Sequence, residues 1–415
     1  MGRLRLTHIE LDAWEPLGGP VAFDIAPRCT VLVGRNGAGK SLVIEAMQAA
    51  LRAFAGIASV ETTPLRIKLT VQTVEGPRIH LLRQMSRPRE QPKPGWGNVA
   101  FAQHGLHVDE EICRAEDGTI HWRVQEDDIV QPTAPARRWA GSAVRTFAGG
   151  KEASPHRALA LALEELANGR QVIPAGTLRD SSHRKPIVLT QDGGAWYLYR
   201  GDDNIRLGEL AETVINRSSM DPQFRLELEE LGQTLGIWQR VEVVTYQAVP
   251  AHPAHKGQDL ARVFFDGVDI GLLADGTLRL ARILVALLAD AQTIFIEEPE
   301  TGLHPGLLWK LLDVIDSYSP GKQIILSTHS PQVVSWAKPE ELRLVERRDE
   351  KTQVRSLSPV ELAQVHAYLS EGQGTLGEYA FSGGLDAPDA GSNAEPSAEE
   401  RGAAQHPVES TGNDG

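Results

Sequence analysis

A phosphate-binding loop is the clearest chemical motif in this 415-residue chain. Residues 34–41 read Gly-Arg-Asn-Gly-Ala-Gly-Lys-Ser, after an apolar run (30–33) and before a helix-prone one (42–47). Glycines let backbone N–H groups surround phosphates, and the helix N-terminus adds partial positive charge. Lys40 is expected to reach the β- and γ-phosphates, and Ser41 to place its hydroxyl on Mg²⁺. The predicted nucleotide-binding residues are Gly34, Arg35, Asn36, Gly37, Ala38, Gly39, Lys40 and Ser41.

The second motif is a short apolar strand (293–296) that ends in two carboxylates, Glu297 and Glu298. Open α/β sheets bind their ligands at the carboxyl ends of such strands. There the first acid can hold hydrated Mg²⁺, and the second can orient and deprotonate an attacking water. A solvated acidic turn is the common alternative, but a phosphate loop in the same chain favours the functional interpretation.

Two further segments complete the set. His329 follows another predicted strand (323–327), and its spacing from the acidic pair predicts a sensor imidazole facing the γ-phosphate. A polar residue at the sheet rim is the alternative. Residues 273–277 read Leu-Ala-Asp-Gly-Thr ahead of an amphipathic helix. The Asp-Gly-Thr turn is predicted to cap this helix and to leave N–H groups for an anion, although the motif alone favours an ordinary capped core helix.

Composition restricts the class of protein. No apolar stretch approaches the ~20 residues of a membrane-spanning helix, and no signal-peptide pattern is present. Two cysteines give no disulfide framework, which favours a reducing cytoplasm. From Gly383 onward the net charge is −6, within a chain total of −13, and the low hydrophobicity predicts a disordered acidic tail. The acidic total argues against uniform nucleic-acid binding, but a local basic stripe is compatible with it.

In this order the four motifs resemble the ABC-type ATPase head of the RecF/SMC/OLD kind. More narrowly, the chain is similar to stand-alone bacterial AAA family ATPases related to the OLD ATPase domain. The similarity covers residues 4–50 and 263–385, including Ile-Phe-Ile-Glu-Glu-Pro-Glu-Thr-Gly-Leu-His-Pro at 294–305. It implies an α/β P-loop NTPase fold with a mixed central sheet, a largely helical insertion and the acidic tail.

The resemblance also implies roles for individual residues. Two heads would dimerise and clamp ATP and Mg²⁺ between them, with Ser41 and Glu297 managing the metal. Lys40, Glu298 as general base and His329 as γ-phosphate switch would be catalytic. The loop 302–304 would cross the dimer interface. The residues that would meet the partner's ATP are Ala274, Asp275, Gly276 and Thr277.

This chain departs from the family pattern in two places. Ala274 stands where a serine hydroxyl is usual, and the lost bond is worth about 1.5–3 kcal/mol, which predicts slow turnover or weak dimerisation. Glu297 replaces the commoner Asp, and its longer arm can still reach a metal-bound water. The glutamine that completes the Mg²⁺ shell has no assigned position. Its candidates are Gln72, Gln84, Gln103 and Gln247.

The length suits two domains or one domain with a large insertion. We predict an N-terminal ATPase lobe (1–84), a mixed and mainly helical insertion (85–262), a C-terminal ATPase lobe (263–382) and the tail (383–415). Alternation predicts a hairpin over 65–85, and periodicity predicts helices at 155–168, 207–214 and 224–235. A solvated or protein-docking surface is the alternative to phosphate-backbone contact for the basic residues of the middle region. These are Arg83, Arg87, Arg89, Lys93, Arg137, Arg138, Arg145 and Lys151.

The leading hypothesis is a cytoplasmic ATPase whose dimer controls a separate effector. The resemblance implies DNA-associated or anti-phage work, with a nuclease or toxin as the partner chain and DNA as a possible ligand. Only about fifty residues separate His329 from the tail, too few for an appended nuclease domain. An ATP-gated scaffold with little hydrolysis is the second hypothesis, prompted by Ala274. A transporter ATPase subunit is the third, and the unusual Ala-Asp-Gly-Thr signature turn (274–277) and the long insertion argue against it.

Overall fold

The structure is a computed structural model, and its secondary structure is described for thirteen stretches of the chain. They are 4–54, 63–73, 76–86, 107–125, 128–131, 143–148, 155–168, 170–175, 187, 189–192, 195–198, 205–248 and 258–385. The predicted acidic tail beyond Leu385 lies outside them, as do Gln103 and the basic residues at 87–93, 137–138 and 151. The side chain of Arg145 is likewise not described.

An antiparallel sheet of seven strands, the N-terminal sheet, contains the first strands of the chain. In spatial order its strands are β2, β1, β4, β5, β6, β7 and β8. Their bounds are β1 Leu4–Asp12, β2 Val21–Asp24, β4 Arg66–Thr73, β5 Arg78–Ser86, β6 His107–Ala115, β7 Ile120–Gln125 and β8 Asp128–Gln131. The pairing of β4 with β5 confirms the predicted hairpin.

A six-stranded sheet carries the chemical motifs. Its spatial order is β18, β17, β3, β16, β15 and β9, and all neighbours are parallel except the β17–β18 pair. The bounds are β3 Cys29–Val33, β9 Arg170–Ile173, β15 Thr293–Glu297, β16 Gln323–Thr328, β17 Leu342–Arg348 and β18 Lys351–Ser356. Strands buried on both faces read as continuous apolar runs, which is why β3, β15 and β16 were visible in the sequence.

A third, antiparallel sheet has the order β11, β10, β13 and β12, with the short β14 beside β13. Its strands are β10 Leu189–Asp192, β11 Ala195–Leu198, β12 Val241–Ala248, β13 Gln258–Phe265 and β14 Val268–Asp269.

Helices cover both faces of the central sheet. Those at 155–168, 207–214 and 224–235 were predicted and are confirmed as α3, α4 and α5. The bounds are α1 Lys40–Phe54, α2 Ala143–Ala148, α3 Pro155–Asn168, α4 Ile205–Met220, α5 Pro222–Leu235, α6 Asp275–Leu288, α7 Pro305–Tyr318, α8 Pro331–Trp336, α9 Pro359–Ser370 and α10 Leu376–Tyr379. In the described part of the chain, none of these helices has the length and apolar character needed to cross a bilayer.

Two hydrophobic cores meet at the central sheet. Leu32, Phe295 and Ile325 face the core that contains α1, α3 and the seven-stranded sheet. Their strand neighbours, such as Val31 and Ile294, face the other core, which contains α4 to α8. Because successive side chains of a strand point to opposite faces, each buried strand joins both cores. The result is the expected α/β fold with a mixed central sheet.

The middle of the chain contributes more to the sheets than its sequence indicated. β9 lies beside β15 in the central sheet, and β6, β7 and β8 extend the N-terminal sheet. The predicted boundaries at 84/85 and 262/263 both fall inside strands, β5 and β13. The division into domains therefore stays a prediction, and the segment between these boundaries mixes helices with strands.

The position of Arg83 corrects the prediction that this residue belongs to a basic surface of the middle region. It lies within β5, is 2% exposed, and is 3.5 Å from the fully buried Glu111. Arg83 also donates a hydrogen bond to the carbonyl of Ala53 at the end of α1. These contacts connect α1, the helix after the phosphate loop, to the sheet. Because Arg83 is buried, its side chain is not accessible to nucleic acid.

Candidate nucleotide-binding and hydrolysis site

The phosphate loop begins at the carboxyl end of β3 and enters α1 at Lys40. A Cβ at Gly34 would lie 2.2 Å from the carbonyl oxygen of Val345 in β17, so glycine is needed for close packing. Gly39 has a φ of 99°, and a Cβ there would lie 2.6 Å from Oγ1 of Thr352. The loop therefore needs both glycines because β17 and β18 press against it, and Gly39 also because of its left-handed backbone.

Lys40 is held at the centre of this loop. Its side chain is 6% exposed, and Nζ donates to the carbonyl oxygens of Gly34 at 2.8 Å and Arg35 at 3.1 Å. Burial lowers the pKa of Lys40, while the charges of Glu298 and Glu300 oppose this effect. The ammonium group is thus desolvated at the loop, where it can exchange carbonyl oxygens for phosphate oxygens.

Ser41 and Glu297 form the contact that joins the two halves of the site. Ser41 Oγ donates to Glu297 Oε2 at 3.0 Å, although the residues are 256 positions apart in the chain. Burial raises the pKa of Glu297, and the nearby charges of Glu45 and Glu298 act in the same direction. The hydrogen bond from Ser41 opposes these effects. P-loop proteins hold hydrated Mg²⁺ with a hydroxyl oxygen and a nearby carboxylate. Ser41 and Glu297 are therefore suitable ligands for this metal.

The described residues include no cluster of three or more His, Cys, Asp or Glu side chains able to hold a metal ion. Mg²⁺ in nucleotide sites is bound by one or two protein groups together with phosphate oxygens and water. The Ser41–Glu297 pair therefore provides what such a site needs from the protein.

Glu298 adopts a left-handed backbone conformation with a φ of 46°, which is uncommon for a residue other than glycine. Its N–H donates to the carbonyl oxygen of Ser327 at 2.7 Å, and its own carbonyl accepts from Arg279 Nη2 at 2.8 Å. The side chain accepts from Thr301 Oγ1 at 3.2 Å. The strained turn is thus held at its N–H, its carbonyl and its carboxylate.

His329 lies beside Glu298 because β15 and β16 are parallel neighbours. Their register pairs Glu297 with Ser327, and β16 in turn pairs Thr328 with Val33 of β3. His329 Nδ1 is 3.7 Å from Glu298 Oε1, and the imidazole is 44% exposed. The structure therefore brings the acidic pair, the histidine and the phosphate loop to one edge of one sheet.

Arg279 is a part of the site that sequence reasoning missed. This α6 residue is 5% exposed, and its Nη1 donates to the carbonyls of Pro174 at 2.7 Å and Ala175 at 2.9 Å. Its Nη2 donates to the carbonyls of Glu297 and Glu298. Burial lowers the pKa of Arg279, and the charges of Glu300, Glu298 and Glu297 oppose this effect. One guanidinium thus fixes the backbone of both predicted acids. The only sequence signal was an arginine within an otherwise apolar helix.

The signature turn differs from the expectation in one respect. α6 begins at Asp275, and Ala274 is its N-cap residue without a side-chain hydrogen bond, so the predicted Asp-Gly-Thr cap is wrong. A Cβ at Gly276 would lie 3.0 Å from the carbonyl oxygen of Gly302, which places the turn against the loop that follows the acidic pair. An alanine cannot cap a helix, so the side chain at the N-cap satisfies none of the first-turn N–H groups.

The three described glutamine candidates lie away from these strands. Gln72 donates to the carbonyl of Gly76 near its own hairpin turn, and Gln84 pairs with Glu110 within the N-terminal sheet. Gln247 belongs to β12 in the third sheet. The strand next to β15 is β9, and beyond its end the backbone of Ala175 lies close enough to the Glu297 carboxylate to lower its pKa, against the effect of burial. A backbone amide thus stands beside Glu297.

A cavity of about 570 Å³ opens next to the phosphate loop. Gly34 to Ala38 form one wall, the end of β17 forms another, and Phe381 and Leu385 close the third. Arg35, Arg347 and Arg348 give it a basic rim. Its volume is within the range of small-molecule sites.

Comparison with known proteins agrees with this geometry. Residues 222–335 match the family model described as "AAA domain, putative AbiEii toxin, Type IV TA system". The matched segment runs from α5 to α8 and includes the signature turn, the acidic pair and His329. The phosphate loop lies outside the match but next to these residues in the sheet. The match covers 114 of the 415 residues, about a quarter of the chain, and it is to an AAA domain.

Curated proteins that are similar to part of this chain include the energy-coupling factor transporter ATP-binding protein EcfA2 from three strains of Mesomycoplasma hyopneumoniae. Identity is 40% over 68 residues, which is 16% of this chain and 23% of the relative. The chain thus spans less than a quarter of the length of these relatives.

Similar solved structures include the SmcHead bound to the C-winged helix domain of ScpA, with a TM-score of 0.44 and 13% identity over 86% of this chain and 99% of the other. The SMC head domain from Thermotoga maritima has a TM-score of 0.37 and 12% identity, and the alignment covers 85% of this chain and 99% of that one. The Smc head from Pyrococcus furiosus with the C-terminal domain of ScpA has a TM-score of 0.43 and 13% identity. The alignment covers 89% of this chain and 100% of that one. Similarity at this level says nothing about what this chain binds.

Arg279→Lys tests the buried guanidinium. A lysine ammonium lacks the planar fork and cannot bond to both pairs of carbonyls at once, so the acidic turn should lose its fixed geometry. We expect ATP turnover to fall about tenfold or more, as misplaced catalytic groups cause, with ADP affinity nearly unchanged. Steady-state phosphate release and fluorescent ADP titration measure the two. Arg217→Lys, which alters an exposed ion pair with Asp290, is the control. Equal turnover in both variants would contradict the assignment.

Glu297→Gln tests the buried carboxylate. Because its pKa is raised in the folded protein, Glu297 reduces stability as pH rises through that pKa, and a neutral Gln removes this cost. We expect the nucleotide-free variant to melt about 1–3 °C higher than wild type at pH 8, with the difference vanishing near pH 4. Added MgATP should stabilise wild type much more than the variant. Differential scanning fluorimetry measures this, and the exposed Glu371→Gln is the control. A lower melting temperature at pH 8 would count against the assignment.

Proposed function

We propose that this chain hydrolyses ATP with Mg²⁺ between two heads of a homodimer and that this cycle controls a separate effector protein. The observation that carries the hydrolysis part is the Ser41–Glu297 contact of 3.0 Å, with Glu298 and His329 at adjacent strand ends. Residues that are distant in the chain supply the phosphate loop, the metal ligands and a base at one sheet edge.

The proposed reaction is in-line attack of water on the γ-phosphorus. Glu298 Oε1 or Oε2 accepts a proton from the water, the new P–O bond forms, and the bond to the bridging oxygen of ADP breaks. When bound, Mg²⁺ supplies positive charge to the β- and γ-phosphate oxygens. Lys40 releases the carbonyls of Gly34 and Arg35 and donates to phosphate oxygens instead. Glu297 is the proposed metal ligand together with Ser41.

Dimerisation is proposed from the signature turn. α6 begins at Asp275 after the N-cap residue Ala274, whose side chain makes no capping hydrogen bond, and the positive end of this helix dipole is proposed to face a γ-phosphate from a second head. The turn packs against Gly302, within the loop assigned to the dimer interface. This arrangement supports an ATP sandwich between two copies.

Control of an effector is proposed from the family description, which names a toxin and a type IV toxin–antitoxin system. A nuclease or toxin as a separate chain, with an anti-phage role, is consistent with that description. DNA contact stays a prediction, because Arg83 is buried and the side chains of the other basic residues singled out are not described. A cytoplasmic location is proposed, since both cysteines are buried and free.

A transporter ATP-binding subunit is an alternative supported by the 68-residue similarity to EcfA2. Co-purification of the chain with a membrane-embedded partner would favour it over effector control.

Glu298→Gln tests the proposed base. Glutamine keeps the size and the hydrogen-bonding oxygen but cannot take a proton, so turnover should fall at least about a hundredfold while ATP still binds. ATP-bound dimer should then accumulate, which light scattering after size exclusion detects. Lys40→Ala is the companion variant and should lose nucleotide binding. Unchanged phosphate release by Glu298→Gln would exclude Glu298 as the base.

Ala274→Ser separates the ATPase from an ATP-gated scaffold. If the missing hydroxyl limits turnover, serine should restore a bond to the partner's γ-phosphate and raise the rate about tenfold. A scaffold would bind ATP tightly with negligible phosphate release in both forms. Turnover measured beside ATP affinity decides between them. A rate that serine leaves unchanged would show that Ala274 does not limit turnover.

A further inference from the structure

Glu300 lies within the segment 294–305, but neither the sequence analysis nor the proposed reaction assigns it a role. One of its oxygens, Oε1, accepts from Thr328 Oγ1 at 2.7 Å and from the backbone N–H of His329 at 3.0 Å. The same oxygen lies 3.5 Å from His329 Nδ1. The side chain is 12% exposed, so these contacts are largely shielded from water. A single carboxylate oxygen thus organises the end of β16.

The two acids of this turn are held separately. Glu298 accepts from Thr301 Oγ1 and lies 3.7 Å from His329 Nδ1, whereas Glu300 bonds directly to the backbone of His329. Glu298 therefore touches His329 only at the ring. Glu300 contacts its backbone as well as its ring, and it also holds the preceding Thr328.

We propose that Glu300 is the positioning residue through which His329 distinguishes ATP from ADP. This inference rests on the proposed function, because it gives the imidazole a γ-phosphate to contact. Glu300 fixes the backbone at 329 and faces Nδ1, which leaves Nε2 as the ring atom available to the nucleotide.

The physical reason is conformational entropy. The imidazole is 44% exposed, so without a partner it would sample several rotamers, and ordering it upon ATP binding would cost free energy. Glu300 orders the ring before the nucleotide arrives. Because Nδ1 faces the Glu300 carboxylate, Nε2 is the ring nitrogen that we assign to the phosphate oxygen. ADP has no γ-phosphate, so its affinity does not depend on this arrangement.

Glu300→Ala is the direct test. We expect the preference for ATP over ADP to fall about tenfold or more, which corresponds to one bond to a charged group, while ADP affinity stays within twofold. Titration with fluorescent ADP and with non-hydrolysable ATP gives the ratio. A loss of both affinities together would overturn the proposal, because a merely structural residue would act in that way. Glu300→Gln keeps an acceptor oxygen and should recover part of the preference. It also serves if the alanine variant fails to fold.

A double-mutant cycle tests whether Glu300 acts through the histidine. His329→Ala alone should lower the ATP preference to the level of Glu300→Ala, and the double variant should fall no further. Independent, additive losses would overturn the proposal.

The chain contains a matched control at its surface. Glu340 Oε1 lies 2.9 Å from His366 Nε2, an exposed carboxylate–imidazole pair on other elements of the fold. Glu340→Ala should leave the nucleotide preference unchanged, and a loss equal to that of Glu300→Ala would overturn the proposal. Failure of the proposed function is measured separately, because wild type would then release no phosphate from MgATP whatever its preference between ATP and ADP.

Discussion

Parallel pairing of β17, β3, β16 and β15 is the constraint on which the rest of this protein depends. In parallel strands the carboxyl ends share one edge, so the loops after β3, β15 and β16 converge there whatever their separation in the chain. The register pairs Val33 with Thr328 and Ser327 with Glu297. The phosphate loop thereby reaches a carboxylate 256 positions away. The pairing is strong because alternate side chains enter two separate cores, which bury both faces of the sheet.

Several features of the site are unfavourable for folding, and contacts with the surrounding fold compensate for them. Glu297 is ionisable and buried, Lys40 is desolvated, and Glu298 has a left-handed backbone. Arg279 offsets part of this cost with four hydrogen bonds to backbone carbonyls. These features are typical of sites that are pre-organised for a charged ligand, because the ligand supplies the missing opposite charges. They also connect α6, which begins at the signature turn, to the two acids that follow β15.

The sequence predicted the parts of the site whose chemistry depends on residues that are close together in the chain. The phosphate loop, the acidic pair and the strand before each could be predicted because their spacing is local. Arg279 and Glu300 could not, since an arginine in a helix and a third acid in a turn have no spacing that specifies carbonyl or backbone partners. Arg83 was assigned to a basic surface because sequence does not show whether a cation has a buried partner, here Glu111. β9 was missed because a four-residue strand has too few residues to show a period.

The sequence by itself determined the class of chemistry. Glycine spacing, a lysine and serine at the helix start, and paired carboxylates after an apolar strand specify phosphate binding through local geometry alone. Only the tertiary structure decided which distant groups lie beside these motifs: Ala175 near Glu297, Arg279 at the carbonyls of the acidic turn, and Glu300 at the backbone of His329. The physical reason is that hydrogen bonds between side chains and backbone carbonyls or amides depend on position in space. A backbone group is the same at almost every residue, so the sequence carries no record of which one is used.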